Sequence, residues 1–404
     1  MRPRQPLISI DDALDLVLRS IRPLDHEDIH VEEAAGRVLA REVRATGDVP
    51  PFPCSAMDGY AILAGESGRR LEVVGESRAG SPSGLRVGDG EAIRISTGAA
   101  VPAGATAVIP QEHVKTNGGT EIELEAAIPA GENIRGAGED MRSGTAILEP
   151  GKRLDPIDVG AAVAAGAGAV TVSRRPRVSV LCTGDELRGP GEPLRPGEIH
   201  NSNAPMLTGL AARSGATTAP ARRLADDRAA TEDGIGAALA ESDVVIISGG
   251  VSVGPHDHVK PALATLDVQQ IFWSVALQPG KPTWFGTRGD TTWVFGLPGN
   301  PVSAVVTFSL FVAPALAALQ GAPPPAPPWP DAVLGADVRR NPGRDQAIRV
   351  HLKPGDRSPV AVPTGAQGSH ILTSLLGADA LAVIPTGEGD LPAGTVVALR
   401  AITR

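Results

Sequence analysis

A glycine-rich stretch that ends in charged residues, SGGVSVGPHDH (residues 248–258), has the composition of an anion-binding loop. The glycines that permit positive φ and close backbone approach are Gly249, Gly250 and Gly254. Successive backbone N–H groups, together with Ser252, can surround a phosphate, and Asp257 can hold Mg²⁺ beside it. The stretch matches neither the Walker A pattern nor GxGxxG, so an ordinary strand-to-helix turn is the alternative. Zinc is less favoured, because His256 and His258 have no third ligand clustered with them.

Adjacent carboxylates follow another apolar run, in the stretch TGDEL (residues 183–187). Thr183 and Gly184 form a turn, and either Asp185 or Glu186 can hold a metal or contact a sugar hydroxyl. Acids that are favoured near a helix start by the helix dipole are the alternative interpretation. The pattern alone does not separate the two.

A third stretch, GLPGNPVSA (residues 296–304), predicts a helix start with Asn300 as N-cap and Pro301 at the first helical position. The amides of Val302 and Ser303 would then be open to an anion. Just upstream, QPGKP supplies Lys281, and a cation beside a helix start could bind an oxyanion. A proline turn with a solvated lysine is the alternative.

Each of these stretches follows an apolar run that predicts a buried strand: RVSVLC, DVVIIS and TTWVFGL. Helices are predicted between and after them, near 204–214, 226–243 and 302–319, and TTAPARRL (217–224) is a further predicted strand. The alternation favours a three-layer α/β domain with a mostly parallel sheet. Because ligands gather at the carboxyl ends of such strands, we expect the stretches to form one site.

The remaining segments predict further domains around this one. The spacing of ISIDDALDLVLRSI predicts a helix with Ser9 as N-cap, and residues 31–40 predict a second helix. Short β-like runs with frequent glycine predict an inserted β domain at 47–142. An Ala-rich helix follows it. After the proline-rich linker 322–330, short strands predict a small C-terminal β domain.

Composition limits the functions that are open to this chain. With 404 residues we expect two to four domains, and 42% hydrophobic residues suffice for buried cores. The net charge of −9 and the lack of a long basic run argue against nucleic-acid binding. An anionic ligand must therefore be held by local donors.

The uncharged segment 302–319 and the two cysteines each have a structural and a functional interpretation. The uncharged segment 302–319 is barely long enough to span a membrane, but its Ser, Thr and Pro content and the lack of basic flanks favour a buried helix. Cys54 and Cys182 form no CxxC and have no neighbouring base, so they are interpreted as structural thiols in a reducing compartment.

Taken in order, the motifs resemble those of molybdopterin molybdenumtransferases, the molybdenum insertases related to the gephyrin E domain. The motifs are PFPCSAMDGYA, ISTGAAVP, GEDMRSG, CTGDEL, SGGVSVGPHD, PGKP and GLPGNPVSA, and they cover nearly the whole chain. The resemblance implies a cytoplasmic, elongated homodimer. Its implied domains are an extended helical dimerisation domain (1–46 and 143–176), the inserted β domain (47–142), an α/β molybdopterin-binding domain (177–327) and a C-terminal β barrel (328–404).

The resemblance also implies a reaction, in which molybdate enters the dithiolene of adenylylated molybdopterin and Mg²⁺-dependent cleavage releases AMP. The implied catalytic residues are Asp58, Asp140, Glu186, Asp257 and Lys281, of which Glu186 and Asp257 hold Mg²⁺, and Asp58 and Asp140 come from the partner subunit. Those implied for adenylylated molybdopterin are Thr97, Thr183, Gly184, Asp185, Asp226, Gly249, Gly250, Ser252, Gly254, Pro298, Asn300 and Pro301. Those implied for molybdate are Gln278, Lys281, Pro282, Ser303, Arg349 and Ser369. An adenylyltransferase and recipient molybdoenzymes are the implied protein partners.

The sequence departs from the family pattern at Gln278, where the family often has the first lysine of Lys-Pro-Gly-Lys-Pro. One cation is therefore missing where an anion is expected to bind, and a charged donor is roughly twice as strong as a neutral one. Three alternatives stay open: an adenylyltransferase that uses ATP, a gephyrin-like scaffold, and an insertase for tungstate. The full set of predicted domains favours the insertase.

Overall fold

The computed structural model describes residues 7–251 and 258–403. The chain divides into two compact units. The larger unit comprises Met1–Glu27, Gly36–Ala40 and Val172–Arg404, and the smaller comprises Asp28–Ala35 and Arg41–Thr171.

The larger unit is built around a mostly parallel sheet, as predicted. Among the described residues its strands lie in the order Thr217–Thr218, Arg177–Thr183, Val244–Ser248, Thr292–Leu297, Trp284–Arg288 and Gln269–Trp273, and Arg222–Leu224 also pairs with Arg177–Thr183. The last two strands in this order run antiparallel to their neighbours, and the other pairs are parallel. The stretch 217–224 was predicted as one strand but forms two short ones, because Pro220 interrupts the ladder.

Helices cover both faces of this sheet. Alternate residues of Val244–Ser248 enter two separate cores: Val244 and Ile246 face one, and Val245 and Ile247 face the other. The first core is closed by helices Ile10–Ser20, Asn203–Arg213 and Pro301–Leu319, and the second by Arg228–Glu241 and Val259–Thr265. This confirms the three-layer α/β prediction.

Helix ends agree with the local sequence. Ser9 caps Ile10–Ser20, and its hydroxyl accepts the Asp12 amide at 3.0 Å. Asp227 caps Arg228–Glu241. The uncharged helix Pro301–Leu319 is long and apolar enough to cross a membrane, but nearly all of it is buried within the fold, which confirms the buried-helix interpretation. Its middle turn, Phe308–Val312, is π-helical just before Pro314, which has no N–H to donate.

A closed β barrel completes the larger unit. Among the described residues its strands follow the ring Asp345–Lys353, Val360–Pro363, Asp331–Leu334, Val396–Arg400, Ala380–Ile384 and back to Asp345–Lys353. Outside the ring, Leu277–Gln278 pairs in parallel with Asp345–Lys353, so Leu277 lies opposite Asp345 and Gln278 opposite Gln346. The α/β domain and the barrel thus share a hydrogen-bonded edge.

The smaller unit contains the predicted β domain. Its main sheet runs Ala107–Pro110, Gly59–Ile62, Glu91–Ile95, Arg70–Ser77, Glu121–Leu124 and Val114–Asn117. The helix Pro156–Ala164 begins at a capping box formed by Asp155 and Asp158. The helix predicted over 31–40 is wrong: only a 3₁₀ turn, Val31–Glu33, forms there, and Gly36 has φ of +78°, which a helix does not permit.

Short elements complete the described structure. The additional strands are His26–His30, Val43–Arg44, Cys54–Ser55, Ile134–Arg135, Ala146–Leu148, Ala169–Ser173, Leu187–Arg188, Ile199–His200, Val338–Arg339 and Asp390–Leu391, and the additional 3₁₀ turns are Gln111–His113 and Leu372–Leu375.

Candidate active site

A cavity of about 620 Å³ lies at the carboxyl ends of the parallel strands, and we call it the larger cavity. Each of the three predicted loops contributes to its wall. Of the predicted residues, it is lined by Thr183, Glu186, Gly249, Gly250, Pro282, Pro298, Asn300 and Pro301. The expectation that these loops meet is therefore confirmed. Ser252, Gly254 and Asp257 lie outside the described residues.

The two glycines of the phosphate-loop prediction are in positions that only glycine fits. Gly249 has φ of +91° and Gly250 φ of +63°. A Cβ on Gly249 would lie 2.8 Å from the Thr183 hydroxyl, and one on Gly250 would lie 2.5 Å from the Val259 side chain. The loop backbone is consequently packed closely against Thr183, at the end of the neighbouring strand, and against Val259.

Glu186 is the carboxylate that the structure places in the larger cavity. Its side chain folds back over Gly184, which has φ of +144°, and a Cβ on Gly184 would collide with the Glu186 carboxylate. Asp185, the neighbour in sequence, does not line the cavity. The structure thus places Glu186 in the larger cavity and Asp185 outside it, a distinction that the sequence pattern did not make.

Asp185 instead meets Asp226. The Asp226 amide donates to the Asp185 carboxylate at 3.3 Å, and the Asp185 amide donates to the Asp226 carboxylate at 3.4 Å. These reciprocal contacts join the ends of neighbouring strands. Within 7–251 and 258–403 no group of three or more His, Cys, Asp or Glu residues could hold a metal.

Asn203 is a residue of the larger cavity that the sequence reasoning missed. Its side-chain amide donates to the Ser248 hydroxyl at 2.8 Å and to the Gly299 carbonyl at 2.7 Å, so it joins two of the three loops. Its amide oxygen is buried and has no partner among the described residues. The polar run HNSN, which ends at the first residue of helix Asn203–Arg213, was the available signal.

A second cavity of about 320 Å³, the smaller cavity, adjoins the first and shares Pro282, Pro298 and Asn300 with it. Of the residues implied for molybdate, it is lined by Gln278, Lys281, Pro282, Ser303 and Ser369. The barrel closes one side: the Asn300 side chain donates to the Ser369 hydroxyl at 3.1 Å. Arg344, Gln367 and Gly368 also line it; they belong to the stretches GRDQAIR and QGSH, from which only Arg349 and Ser369 were predicted as ligands.

The expected anion contact of the Val302 amide is wrong in this structure, because that amide donates to the Ser369 carbonyl at 3.2 Å. Asn300 occupies the predicted N-cap position, but its side chain is directed to Ser369 rather than to the helix. The start of this helix therefore serves to attach the barrel loop.

Arg349 does not line the smaller cavity. It is fully buried, and burial lowers the pKa of its guanidinium to about 10. Nε and one terminal nitrogen each donate to the Ser374 hydroxyl at 3.1 Å, and the other terminal nitrogen has no partner among the described residues. The Arg349 amide donates to the Gln367 side chain at 2.9 Å, so this residue supports the loop that carries Ser369.

Three predicted residues lie in the smaller unit. Asp58 and Thr97 come together, since the Thr97 amide donates to the Asp58 carboxylate at 2.7 Å. Asp140 is exposed, and its amide donates to the Val49 carbonyl. The Asp58 carboxylate is thus held by a main-chain donor before any ligand binds.

Cys182 lines the larger cavity but is only 1% exposed, and burial raises the pKa of its thiol to about 11. Cys54 is also buried, and both thiols are free, in agreement with the structural interpretation. A thiol with this pKa has about a hundredfold less thiolate at pH 8 than an ordinary cysteine.

Labelling with Ellman's reagent tests this state of Cys182. In a Cys54→Ser variant at pH 8, we expect labelling of the native protein to be at least about 100-fold slower than labelling in denaturant. Because the folded pKa exceeds the unfolded one, the thiol's contribution to stability is full below pH 9.0 and is lost as the pH rises toward 11. Equal labelling rates in the two states would contradict the assignment.

Comparison with family models covers most of the chain. Residues 8–166 match the MoeA N-terminal region (domain I and II), residues 179–318 match the probable molybdopterin binding domain, and residues 331–401 match the MoeA C-terminal region (domain IV).

Full-length relatives agree with these matches. The molybdopterin molybdenumtransferase of Haemophilus influenzae is 35% identical over 398 residues, which cover 97% of this chain and 98% of the relative. Molybdopterin molybdenumtransferase 2 of Mycobacterium tuberculosis is 35% identical over 392 residues, covering 94% and 95%.

Solved structures show the same architecture. The crystal structure of the molybdopterin biosynthesis moeA protein of Pyrococcus horikoshii has a TM-score of 0.80 at 32% identity, and the comparison covers 98% of this chain and all of that chain. A molybdenum cofactor biosynthesis protein of Pyrococcus furiosus, at 21% identity and a TM-score of 0.59, shares the fold.

Proposed function

Since the chain belongs to the molybdopterin molybdenumtransferase family, we propose that it inserts molybdate into adenylylated molybdopterin and releases AMP. Two oxo groups of molybdate are replaced by the dithiolene sulfurs and leave as water. One water cleaves the phosphoanhydride, so that molybdenum cofactor, AMP and one water are the products. The chain is thus a transferase of molybdenum cofactor biosynthesis.

The observation that carries this proposal is the pair of adjoining cavities. The larger, of about 620 Å³, presents a glycine backbone and one carboxylate, as a pyrophosphate with Mg²⁺ requires. The smaller, of about 320 Å³, presents cations and hydroxyls, as a tetrahedral dianion requires. Because they share Pro282, Pro298 and Asn300, the two substrates would lie next to each other.

The donor set of the larger cavity fits Mg²⁺. This ion binds through one or two carboxylates plus substrate phosphates and does not need a cage of protein ligands. Glu186 would supply one carboxylate, and the proposed second, Asp257, lies outside the described residues. When bound, Mg²⁺ would neutralise charge on the phosphoanhydride. Glu186 is kept in position by the space that Gly184 leaves for its carboxylate.

Release of AMP from adenylylated molybdopterin tests the proposal. We expect release to require both molybdate and Mg²⁺, and parallel assays with tungstate to show whether the enzyme discriminates between the two anions. Release of pyrophosphate from ATP would instead identify an adenylyltransferase. If the wild-type protein releases neither product, the family assignment stands but the proposed insertase activity is rejected.

We propose a homodimer, and the surface of helix Pro156–Ala164 supports it. Ile157 is 81% exposed and Val163 49% exposed on this helix. Its one charged residue, Asp158, is buried and paired with Lys152, so the exposed face carries no charge. A second copy of the chain would cover this apolar face.

Replacement of Ile157 by Glu is expected to convert the dimer to a monomer, because a charge would be buried at the interface. Analytical ultracentrifugation measures this change. Val396→Glu is the matched control, since Val396 is 62% exposed on the barrel and should leave the dimer intact. A dimeric Ile157→Glu protein would exclude this face as the interface.

In the proposed setting, the enzyme works in the cytoplasm between an adenylyltransferase that supplies its substrate and the enzymes that receive the cofactor. Asp58 and Asp140, in the smaller unit, would reach the cleft of the partner subunit. The dimer would then be part of the active site.

A further inference from the structure

Four residues in register cross the central sheet near the carboxyl ends of its parallel strands. Ile247 lies opposite Gly296, which lies opposite Trp284. Trp284 in turn lies opposite Trp273, which ends the strand at the far edge of the described sheet. Ile247 and Trp284 belong to the second core, and Trp273 packs against it. The row therefore extends from the strand that precedes the two cavity glycines to the opposite edge of the sheet.

Val251, the residue after the two cavity glycines, lies over this row. A Cβ on Gly296 would be 2.5 Å from the Val251 side chain and 3.1 Å from the Cβ of Trp284. Val251 is buried in the second core and also lines the larger cavity. The missing side chain at Gly296 thus leaves the space in which Val251 packs onto the sheet.

Trp273 holds the main chain of Val251. The Trp273 indole N–H donates to the Val251 carbonyl at 3.1 Å. Because Val251 is buried, its carbonyl needs a donor from within the protein, and the loss of that donor would be costly. Two strands of the sheet lie between the strand before Val251 and the strand of Trp273. The hydrogen bond therefore fixes the direction in which the main chain crosses the strand ends beside the larger cavity.

The chain that follows the masked loop contacts the same tryptophan. Residues 252–257 lie outside the described residues, and Lys260 comes shortly after them. The Lys260 ammonium lies 4.2 Å from the centre of the Trp273 ring, within the range of a cation–π interaction. Val259 packs against Gly250, on which a Cβ would be 2.5 Å from the Val259 side chain. Both flanks of 252–257 are thus joined to Trp273 or to each other.

We propose that Trp273 is a positioning residue of the larger cavity, which holds the backbone of 249–251 in the conformation that binds a pyrophosphate. Trp273 is not among the described residues that line this cavity, so it acts through the Val251 carbonyl. A backbone that is fixed before the ligand arrives spares the ligand the cost of ordering it. The inference rests on the proposed function in naming the pyrophosphate as that of adenylylated molybdopterin.

Calorimetric titration of the full-length protein with inorganic pyrophosphate and Mg²⁺ tests this role. Trp273→Phe keeps an aromatic ring but loses the N–H, and we expect it to weaken pyrophosphate binding by about 10-fold, because the ligand must then fix the backbone itself. Titration with molybdate should give the wild-type affinity. In the AMP-release assay the KM for adenylylated molybdopterin should rise, while the KM for molybdate should stay unchanged.

Trp293→Phe is the matched control. The Trp293 indole also donates to a backbone carbonyl at 3.1 Å, that of Ser20, but Trp293 lies near the amino end of its strand, away from the larger cavity. The variant loses the same kind of hydrogen bond from a buried tryptophan. We expect it to lower the melting temperature and to bind pyrophosphate like the wild type.

A second substitution at the same position removes the N–H without changing the size of the ring system. Trp273→benzothienylalanine carries sulfur in place of the indole N–H, so it keeps the packing against the second core even if Trp273→Phe fails to fold. We expect it to show the same loss of pyrophosphate affinity with a melting temperature close to that of the wild type.

The outcomes separate this inference from the proposed function. The role of Trp273 would be overturned by wild-type pyrophosphate affinity in both Trp273 variants, by an equal loss in Trp293→Phe, or by an equal loss of molybdate affinity. Wild-type protein that binds no pyrophosphate would overturn the inference together with the phosphate assignment of the cavity. Wild-type protein that binds pyrophosphate through the Trp273 contact but releases no AMP would support the inference and reject the insertase reaction.

Discussion

Replacement of Glu186 by Gln is expected to lower the rate of AMP release by about 100- to 1000-fold, the usual cost of removing a preorganised charge from a reacting centre. Gln keeps the size of Glu, so the space above Gly184 stays filled. The lost charge removes the carboxylate that would hold Mg²⁺ in the larger cavity. A Mg²⁺ titration of single-turnover AMP release should show a higher requirement for the ion.

Glu192→Gln is the control for this variant. Glu192 follows the same loop but lines a neighbouring cavity and not the larger one. It loses the same charge, and we expect near wild-type release. If Glu186→Gln has wild-type rate and Mg²⁺ dependence, the metal must be held elsewhere, with Asp257 as the remaining proposed ligand.

A mixture of two inactive variants is expected to recover activity if each active site uses residues of both subunits. Asp58→Ala and Glu186→Gln should each reduce AMP release to 1% of the wild-type rate or less as homodimers, on the order of the loss of a preorganised charge. After unfolding and joint refolding, half of the dimers carry one substitution on each subunit, and one of their two sites is intact. The mixture should therefore recover about a quarter of the wild-type activity.

The control for this experiment uses two residues of the same unit. Glu186→Gln mixed with Lys281→Ala should recover almost nothing beyond the separate variants if both residues serve the cleft of their own subunit, because recombination then leaves no intact site. Recovery by this control pair, or none by the Asp58 pair, would contradict the shared active site. Adding Ile157→Glu to both variants of the Asp58 pair should also prevent recovery.

Much of the fold followed from local patterns in the sequence. The uniformly apolar runs before 184, 249 and 298 form the central parallel strands, since strands buried on both faces have no polar side to alternate. Ser9 and Asn300 occupy the predicted N-cap positions. The prediction at 31–40 failed because Gly36 adopts positive φ, which an Ala- and Glu-rich pattern does not reveal.

The sequence also determined which loops form the candidate site. Glycines, prolines and carboxylates that directly follow buried strands must gather at one edge of a parallel sheet, so the three loops were certain to meet once the strands were identified. The family resemblance added the chemistry of the ligands. Neither of these conclusions required the tertiary structure.

Only the tertiary structure decided between residues of the same type. Glu186 enters the larger cavity while Asp185 turns to Asp226, because the backbone direction at Gly184 sets where each carboxylate points. Arg344 reaches the smaller cavity while Arg349, five residues on, is buried against Ser374. The position of Arg344 depends on how the barrel pairs with strand Leu277–Gln278, a contact between distant segments that no local pattern encodes.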